Sequence, residues 1–430
     1  MTMTTGVTGR PFIGGPIEGS SYVWFDDLLS IDAQTAADAV LLSNQLACMQ
    51  QRLFALADDK RLRHFSCGEA ARLIGVSDGY LRQLSLAGEG PEPSHVSQSG
   101  RRTYTLEAIN EMRAYLAAQS DAKAGQYLRH RNNKAGEQLQ IVAVTNFKCR
   151  SGKTTTATHL AQHMALQGYR VLAIDLDPQA SMSTLLGHEP DLILRSNTSI
   201  YGAIRYGSEC VPIGSVIVNT YFPGLDLAPA GFELQEFERA TPHSSVTRGS
   251  EENGESDRQF FQRIKMAIAM VADKYDVVIL DCPPQLGVLT LSALYAATTV
   301  IVTVNPQMLD VASTSQFLGM TADLLSRIRE ECGELNNKIL RYLITQYEPH
   351  DRLQTQVAAL LRAQFGERVL TAPMIKSVAI SDTGLTKQTL YEVGRDVFPR
   401  GVYDRAMESL TAVNIEIEAL VKAAWGRVDR

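Results

Sequence analysis

A short loop between an apolar strand pattern and a helical pattern constrains the fold of this chain most strongly. Residues 140–166 read QIVAVTNF, then KCRSGKTTT, then ATHLAQHMAL. The free backbone N–H groups at the amino end of a helix form a natural phosphate site. Gly152-Lys153-Thr154 fits the end of the pattern GxxxxGK[ST], in which the lysine holds the β- and γ-phosphates and the hydroxyl binds magnesium. The strict pattern also requires glycine at position 147, where this chain has Phe147, so the loop needs support from elsewhere in the sequence.

Acidic side chains end two further apolar strand patterns. VLAIDLDPQ carries Asp175 and Asp177, and VVILDCPPQ carries Asp281. Because the carboxyl ends of parallel strands meet where such folds bind ligands, we expect these acids to lie beside the loop. Asp281 is then positioned to support magnesium through a water molecule, with Thr154 as the second metal-binding side chain.

From Leu139 onward, short apolar strands alternate with helical patterns. This alternation predicts an α/β fold for residues 139–430, with a mostly parallel, doubly wound sheet. The polar stretch Ala240–Asp257 interrupts the pattern and predicts a surface loop. The predicted strands are Gln140–Phe147, Val171–Asp175, Leu225–Ala228, Asp276–Leu280, Thr299–Val304, Ile339–Thr345 and a short one near Val369–Ala372.

Two segments open the chain. Residues 1–20 are rich in Gly and Thr and lack apolar periodicity, which predicts a flexible arm. Within residues 21–60, apolar side chains recur at helical spacing from Trp24 to about Ala57 and predict one long helix. Its apolar stripe is compatible with packing on its own domain and equally with pairing in a dimer.

Residues 61–119 predict a helix, a turn, a second helix, a hairpin and a final helix. Ser66 and Glu69 have capping-box spacing at the start of the first helix, and Ser77 is placed to cap the second. The stretch SQSGRRTY has Gly100 at the tip of the predicted hairpin. This is the layout of a winged helix-turn-helix, and over about fifty residues it resembles the DNA-binding domain of MerR-type regulators.

Basic residues are concentrated in and after this unit. Arg82 on the second helix and Arg101 and Arg102 in the hairpin are the candidate DNA-binding residues. Residues 120–138 are polar and predict a linker. Between Ser99 and Lys134 there are seven Lys and Arg against three acids, an excess that favours phosphate contact over a merely solvated face. The seven are Arg101, Arg102, Arg113, Lys123, Arg129, Arg131 and Lys134.

Composition restricts the class of protein. The six cysteines form no CxxC pair, which favours a reducing interior over a disulfide framework or a zinc site. The net charge of −6 means that DNA affinity must come from local patches. No segment resembles a signal peptide or a membrane span, so we expect a cytoplasmic protein. The last helical pattern, Val402–Ala424, has acids opposite its apolar side, which favours core packing over membrane binding.

The loop and the acidic strand ends together resemble the deviant Walker A ATPases of the ParA/MinD family. Their loop runs KGGxGKT[TS], followed by DxDPQ and DxPP, and the three patterns occur here in the same order. The resemblance implies ATP or ADP and Mg²⁺ as cofactors. Lys148 matches a lysine that reaches the nucleotide of the other subunit in a homodimer, and Asp177 matches an acid that positions the attacking water. The implied catalytic residues are Lys148, Lys153 and Asp177, and the implied nucleotide contacts are Lys148, Cys149, Arg150, Ser151, Gly152, Lys153, Thr154 and Thr155.

The segments ahead of the ATPase region make the chain similar to large plasmid-partition ParA proteins. RepA proteins of repABC replicons, which also repress their own operon, are the nearest subtype by this layout. The implied partners are an operator, non-specific DNA and a ParB-like centromere-binding protein, with the protein located on the nucleoid. Pro373–Ser377 resembles a late family motif, in which Lys376 matches a residue that binds DNA non-specifically. Weaker candidates for this role are Lys387, Arg395, Arg400 and Arg405.

One departure concerns Cys149 and Arg150, which replace the family's Gly-Gly. Glycines there permit positive φ and a close approach of the backbone to phosphate. The change is compatible with a relaxed natural variant, with weakened hydrolysis, or with poor nucleotide binding. Both residues lie outside those that hold magnesium and the β-phosphate, so we expect retained binding with reduced or altered turnover. Cys149 resembles a reactive thiol by its position, but an incidental substitution is the favoured interpretation.

Two functions from different classes follow, and they are compatible. The first is an ATPase switch, in which an ATP-driven dimer binds non-specific DNA and a centromere-binding partner stimulates hydrolysis. The second is a DNA-binding repressor, in which the winged helix reads an operator and nucleotide tunes affinity, with weak or absent hydrolysis. A membrane positioner of the MinD type is disfavoured by the DNA-binding segment and the acidic last helix.

Overall fold

The computed structural model of the chain describes residues 30–54, 60–120, 123–189, 197–241, 257–332, 335 and 339–427. The chain divides into two compact units, residues 1–59 and 60–430. In the first unit, α1 spans Ile31–Phe54, within the range predicted for the long helix. The predicted arm, and all but the ends of the predicted 240–257 loop, lie outside the described residues.

The amino-terminal part of the second unit contains three helices and a small antiparallel sheet with the strand order β1-β3-β2. Ser66 and Glu69 form the predicted capping box, and the Ser77 side chain accepts a hydrogen bond at the start of the next helix. Gly100, at the hairpin tip, has φ +75°, a conformation that glycine adopts without steric cost. The elements are β1 (Phe65–Ser66), α2 (Cys67–Ile74), α3 (Asp78–Ala87), β2 (His95–Val96), β3 (Arg102–Tyr104) and α4 (Leu106–Gln119).

The segment after α4 is bound to the body of the protein at several points. It contains the short helix α5 (Ala124–Tyr127). The Arg131 guanidinium donates to the backbone carbonyl of Tyr275 at 3.0 Å. The Arg129 guanidinium donates to the buried carboxylate of Glu418, also at 3.0 Å. These two arginines therefore form internal contacts, and the prediction that they contact phosphate is wrong.

A seven-stranded sheet forms the centre of the larger part of this unit, with the strand order β10-β9-β4-β8-β5-β7-β6. Neighbouring strands are parallel except at β6, which pairs antiparallel with β7. The prediction of a mostly parallel α/β sheet is confirmed. The strands are β4 (Gln140–Thr145), β5 (Val171–Asp175), β6 (Val218–Asn219), β7 (Leu225–Ala228), β8 (Val277–Asp281), β9 (Thr299–Val304) and β10 (Ile339–Ile344).

Two details of the sheet differ from the prediction. The edge strand β6 is only two residues long, too short for the sequence pattern to indicate it. The strand predicted near Val369–Ala372 is absent from the described residues, where Val369 makes only an isolated bridge to Tyr342. The chain therefore touches the edge strand β10 at one residue there and does not add an eighth strand to the sheet.

Helices cover both faces of the sheet. Alternate residues of each strand enter one of two apolar clusters; Val142 and Val171 enter the first, Ala143 and Leu172 the second. This three-layer packing explains why the strands are apolar on both faces. The helices are α6 (Lys153–Leu166), α7 (Ser181–Leu185), α8 (Ile200–Ile204), α9 (Leu234–Ala240), α10 (Arg263–Ala269), α11 (Val288–Ala296), α12 (Met308–Cys332), α13 (Arg352–Phe365), α14 (Val378–Leu385) and α15 (Arg400–Ala424).

The last helix, α15, packs into the core as the sequence predicts, but one of the acids expected opposite its apolar side lies within that side. Leu410 and Ile417 are fully buried, and both belong to the same apolar cluster as α6. Glu418 lies within this face and accepts hydrogen bonds from His163 and Tyr169, each at 3.0 Å. Throughout the part of the chain that the structure describes, every helix is too short or too polar to span a lipid bilayer.

Arg113 on α4 joins the amino-terminal part of this unit to α6. Its guanidinium is buried and donates to the carbonyl oxygens of Leu73, near the end of α2, and Leu166, at the end of α6, at 2.7 and 2.6 Å. The last carbonyls of a helix lack intrahelical donors, and a cation there also interacts favourably with the helix dipole. The prediction that Arg113 contributes to a phosphate-binding surface is therefore wrong.

We expect Arg113→Ala to lower the free energy of unfolding by about 3 kcal/mol, because two buried carbonyls lose their charged donor. Urea denaturation followed by circular dichroism measures the change. Arg72→Ala, at an exposed position on α2, is the matched control and should alter stability little. Equal stability of the two variants would contradict the role assigned to Arg113.

Candidate functional site

The loop between β4 and α6 lies at the carboxyl edge of the sheet. Gly152 precedes the first helical residue, Lys153, and has φ +82°. A Cβ atom at this glycine would make an ordinary contact, 3.4 Å, with the side chain of Thr345, so the left-handed backbone is what favours glycine here. The amino end of α6 is thus preceded by a tight turn, the arrangement that presents backbone N–H groups to an anion.

Side chains from the neighbouring strands hold the loop in place. The Thr303 hydroxyl, on β9, donates to the Ser151 hydroxyl at 2.9 Å. The Thr345 hydroxyl, just after β10, donates to the Ser151 carbonyl at 2.7 Å. At the other end of the loop, the buried Asn146 amide donates to the Thr303 carbonyl. The loop is therefore held by residues of neighbouring strands that do not belong to the phosphate-loop motif.

Arg150 has φ +60°, a left-handed conformation that side chains with a Cβ rarely adopt. Such a conformation costs about 1–2 kcal/mol relative to glycine. Its carbonyl accepts a hydrogen bond from the Gln346 amide at 3.0 Å, and its side chain is exposed. Cys149 is also exposed. The loop thus keeps a glycine-like conformation at position 150 and directs the bulk of the arginine to the surface.

The two lysines of the loop have different environments. Lys153 is buried, and its ammonium donates to the carbonyl of Lys148 at 2.9 Å. Burial lowers the pKa of Lys153, while the charges of Asp281 and Asp177 oppose that shift. Lys148 is 41% exposed and forms an ion pair with Asp310, in the first turn of α12. Sequence reasoning missed Asp310, because this acid lies in the helix that follows β9 and not at the end of the strand itself.

Asp175 and Asp281 are direct cross-strand partners in the parallel pairing of β5 with β8. Asp175 accepts hydrogen bonds from the backbone N–H and the hydroxyl of Ser183, both at 2.8 Å. Among the described residues, neither carboxylate oxygen of the fully buried Asp281 has a hydrogen-bond partner. Ser183 was also missed by sequence reasoning, because no feature of the pattern links it to β5.

Burial is the main cause of the electrostatic shifts of these two acids. It raises the pKa of Asp175 to about 7, against the opposing effect of the hydrogen bonds from Ser183. It also raises the pKa of Asp281 well above its ordinary value, and the charge of Asp175 raises it further. The Thr154 side chain beside Asp281 has the opposite effect and lowers the pKa of this carboxyl. A cation at this point would stabilise both carboxylates in their charged form.

Asp177 lies two residues beyond the end of β5, where it is partly exposed. Its backbone N–H donates to Asp175 at 3.1 Å, and its own carboxylate accepts from the backbone N–H of Gln179 at 3.0 Å. The structure therefore brings the loop lysines and the three acids selected from the sequence to one edge of the sheet.

Comparison with known proteins agrees with this geometry. Residues 139–334 match a family model described as an AAA domain. Over 392 residues the chain is 50% identical to a protein of Rhizobium rhizogenes named "Putative replication protein A". This alignment covers 91% of this chain and 94% of that protein. It is also 32% identical over 248 residues to the chromosome partitioning protein ParA of Caulobacter vibrioides, covering 57% of this chain and 83% of that protein. The chain belongs to the ParA family of partition ATPases.

The fold of this ParA-family chain is also shared with a solved structure described as "Partition Protein". The two superpose with a TM-score of 0.55 over 88% of this chain and 99% of the other, at 17% sequence identity. An identity this low supports the shared fold alone.

The donor atoms at this edge fit Mg²⁺. The cation prefers oxygen ligands, and Asp281 offers two carboxylate oxygens without partners beside the Thr154 hydroxyl. Proteins usually bind Mg²⁺ through one or two carboxylates together with substrate phosphates. Accordingly, the described residues contain no group of three or more His, Cys, Asp or Glu side chains that could enclose a metal by themselves.

The candidate DNA-binding residues of this ParA-family chain lie in two separate places. Arg82 and Arg101 are exposed on α3 and on the hairpin, while Arg102 donates to the Ser85 hydroxyl on α3 at 3.0 Å. Lys376 lies between α13 and α14, 58% exposed, and pairs with Glu348 at 2.8 Å. Among the weaker candidates, Lys387 pairs with Glu189 and Arg395 with Asp404.

The raised pKa of Asp175 predicts a specific pH dependence of stability. Between about pH 4 and pH 7 the folded protein holds a proton on this carboxyl that the unfolded chain has lost. The contribution of Asp175 to stability therefore falls as the pH rises through this range. We expect the Asp175→Asn variant, measured without nucleotide, to gain stability relative to the wild type from pH 4 to pH 7.

Urea denaturation at a series of pH values measures this difference. Asp323→Asn, at an exposed position on α12, is the matched control and should follow the wild type. Parallel curves for the wild type and Asp175→Asn across the range would show that Asp175 does not titrate in this way.

Proposed function

We propose that this chain is an ATP-dependent DNA-partition protein that also represses its own operon. The observation that carries the proposal is the buried, unpaired carboxylate of Asp281 beside a phosphate loop in a chain of the ParA family. Lys153 would hold the β- and γ-phosphates, and Thr154 and Asp281, the latter through water, would hold Mg²⁺. When bound, Mg²⁺ neutralises charge that develops on the phosphates during transfer.

The side chains around the loop support separate roles for its two lysines. Lys153 is buried and points back along the loop to the Lys148 carbonyl, the placement of a lysine that binds phosphate within its own subunit. Lys148 is half exposed, as a residue that acts across a dimer must be. To do so it would leave Asp310, so this ion pair would hold Lys148 while the chain is monomeric. Asp177, partly exposed at the same edge, would position the attacking water.

In the proposed cycle, ATP drives the formation of a homodimer that binds DNA without sequence preference through Lys376. A ParB-like centromere-binding protein would stimulate hydrolysis and release the dimer, so that the position of the replicon follows the place of hydrolysis. The proposed location is the cytoplasm, on the nucleoid, where the DNA partner lies. Membrane positioning is not part of the proposal, because α15 buries its apolar side in the core and carries the exposed Glu408 on its surface.

Operator binding would use the amino-terminal part of the second unit as a winged helix-turn-helix. Arg82 on α3 and Arg101 on the hairpin present exposed guanidinium groups. Arg102, through its bond to Ser85, would fix the hairpin against α3. In a helix-turn-helix the second helix enters the major groove, so α3 is the proposed recognition helix.

A nucleotide-tuned repressor with weak or absent hydrolysis is the second candidate function. The conformation of Arg150 supports it, because this residue holds a left-handed backbone that the family's glycine adopts without strain. Arginine also adds a charged side chain at this position. Binding would survive, since Lys153, Thr154 and Asp281 are retained.

DNA binding in four nucleotide states tests the proposal. Anisotropy of labelled operator and non-operator duplexes is compared with no nucleotide, ADP, ATP and a non-hydrolysable ATP analogue. We expect ATP to increase non-specific binding and ADP to favour the operator. Indifference of both duplexes to nucleotide would exclude the switch.

Two variants separate the activities in the same experiment. Lys153→Ala should abolish nucleotide binding and the ATP-dependent DNA binding, whereas Lys274→Ala, at an exposed position, serves as its control. Arg82→Ala combined with Arg101→Ala should weaken operator binding by at least about tenfold, since each lost base or phosphate contact costs roughly 1 kcal/mol or more. ATP turnover should be unaffected in the double variant.

Restoring glycine in the loop tests the effect of Cys149 and Arg150 on turnover. We expect Cys149→Gly combined with Arg150→Gly to raise the rate of phosphate release severalfold with little change in the calorimetric affinity for ATP. The reason is that glycine adopts the φ of position 150 without strain and lets the loop backbone approach the phosphates closely. Wild-type turnover equal to that of the double variant would remove the case for impaired hydrolysis.

A further inference from the structure

The four residues after β10, 345–348, connect the phosphate loop with the lysine assigned to non-specific DNA binding. On the loop side, the Thr345 hydroxyl donates to the Ser151 carbonyl at 2.7 Å. The Gln346 amide donates to the Arg150 carbonyl at 3.0 Å. Consecutive side chains of this segment therefore bind consecutive carbonyls of the loop.

The other half of the segment binds the chain around Lys376. The Tyr347 N–H donates to the Met374 carbonyl, and the Lys376 N–H donates to the Tyr347 carbonyl, each at 3.0 Å. The next residue, Glu348, accepts a hydrogen bond from the Lys376 ammonium at 2.8 Å. Four residues of chain thus extend from the loop carbonyls to the ammonium of Lys376.

Gln346 has φ +51°, so the hydrogen bond to Arg150 joins two residues that are both in the left-handed region. Neither is glycine, and each holds this conformation against its backbone preference. Gln346 lies between Thr345 and Tyr347, which are both hydrogen-bonded to other parts of the chain. A small displacement of its own partner therefore acts on the backbone conformation of Gln346. Any shift of the Arg150 carbonyl on nucleotide binding would act directly on this point.

We propose that residues 345–348 form a coupling segment that keeps Lys376 paired with Glu348 until nucleotide binding at the loop displaces the Arg150 carbonyl from Gln346. In this arrangement Glu348 competes with DNA phosphates for Lys376, and Gln346 is a positioning residue that conveys the state of the loop. The proposal rests on the proposed function, in which Lys376 binds DNA. It adds the means by which nucleotide governs that binding.

The electrostatics of the pair suit such a switch. The Lys376 side chain is 58% exposed and the Glu348 side chain 47%, so solvent screens their attraction. A weakly held ion pair is broken readily when a DNA backbone with many phosphates approaches. Glu348 is exposed and Gln346 is half-buried, so substitution of either side chain removes its contact without opening the core.

Two variants of the full-length chain test the coupling. Glu348→Gln should raise the affinity of the nucleotide-free protein for a non-operator duplex about three- to tenfold, measured by anisotropy. Glu367→Gln removes the same charge at another exposed position and serves as the matched control, with little expected change. Equal effects of the two substitutions would mean that only net charge matters and would overturn the role of Glu348.

Gln346→Ala should leave the calorimetric affinity for ATP within about threefold of the wild type. The ratio of DNA affinities with and without the non-hydrolysable ATP analogue should fall towards one, an effect that lost stability alone would not produce. A wild-type ratio retained by Gln346→Ala would overturn the coupling while leaving the proposed function intact. A ratio of one in the wild type itself would overturn both.

Discussion

The pairing of β5 with β8 places Asp175 directly opposite Asp281 at the carboxyl edge of the sheet, and the arrangement of the site depends on this register. A shift by one residue would point one acid to the other face of the sheet. In the observed register, Ser183 satisfies Asp175, while the oxygens of Asp281 remain buried and unpaired among the described residues. Such a carboxylate is costly in a folded protein unless a cation or proton accompanies it.

The phosphate loop is shaped by its surroundings as much as by its own sequence. Thr303 in β9 binds the hydroxyl of Ser151, and Thr345, which follows β10, binds its carbonyl. These contacts hold the backbone at position 150 in a conformation suited to glycine, although arginine stands there. The family motif describes which residues touch the ligand. The neighbouring strands decide whether a departure from the motif is tolerated structurally.

Sequence patterns predicted the sheet well because its strands are apolar on both faces and short. The bounds of Val171–Asp175, Leu225–Ala228 and Thr299–Val304 match the structure. The acids of the site were found because they lie at or just after the carboxyl ends of strands, Asp175 and Asp177 at β5 and Asp281 at β8. Side-chain partners were not predictable: the ion pair of Lys148 with Asp310 and the burial of Arg113 depend on distant parts of the chain meeting in space. An excess of basic residues does not reveal which of them will cap a helix.

The burial of Arg113 between α2 and α6 affects how such chains can evolve. The amino-terminal part of the second unit shares a continuous apolar cluster with α6, and Arg113 supplies the donor for the last carbonyl of that helix. A descendant that lost residues 60–138 would expose this surface and leave the Leu166 carbonyl without its guanidinium. Gain or loss of residues 60–138 by recombination must therefore be accompanied by substitutions on α6 and α15. These residues are thus a poor candidate for free exchange between family members.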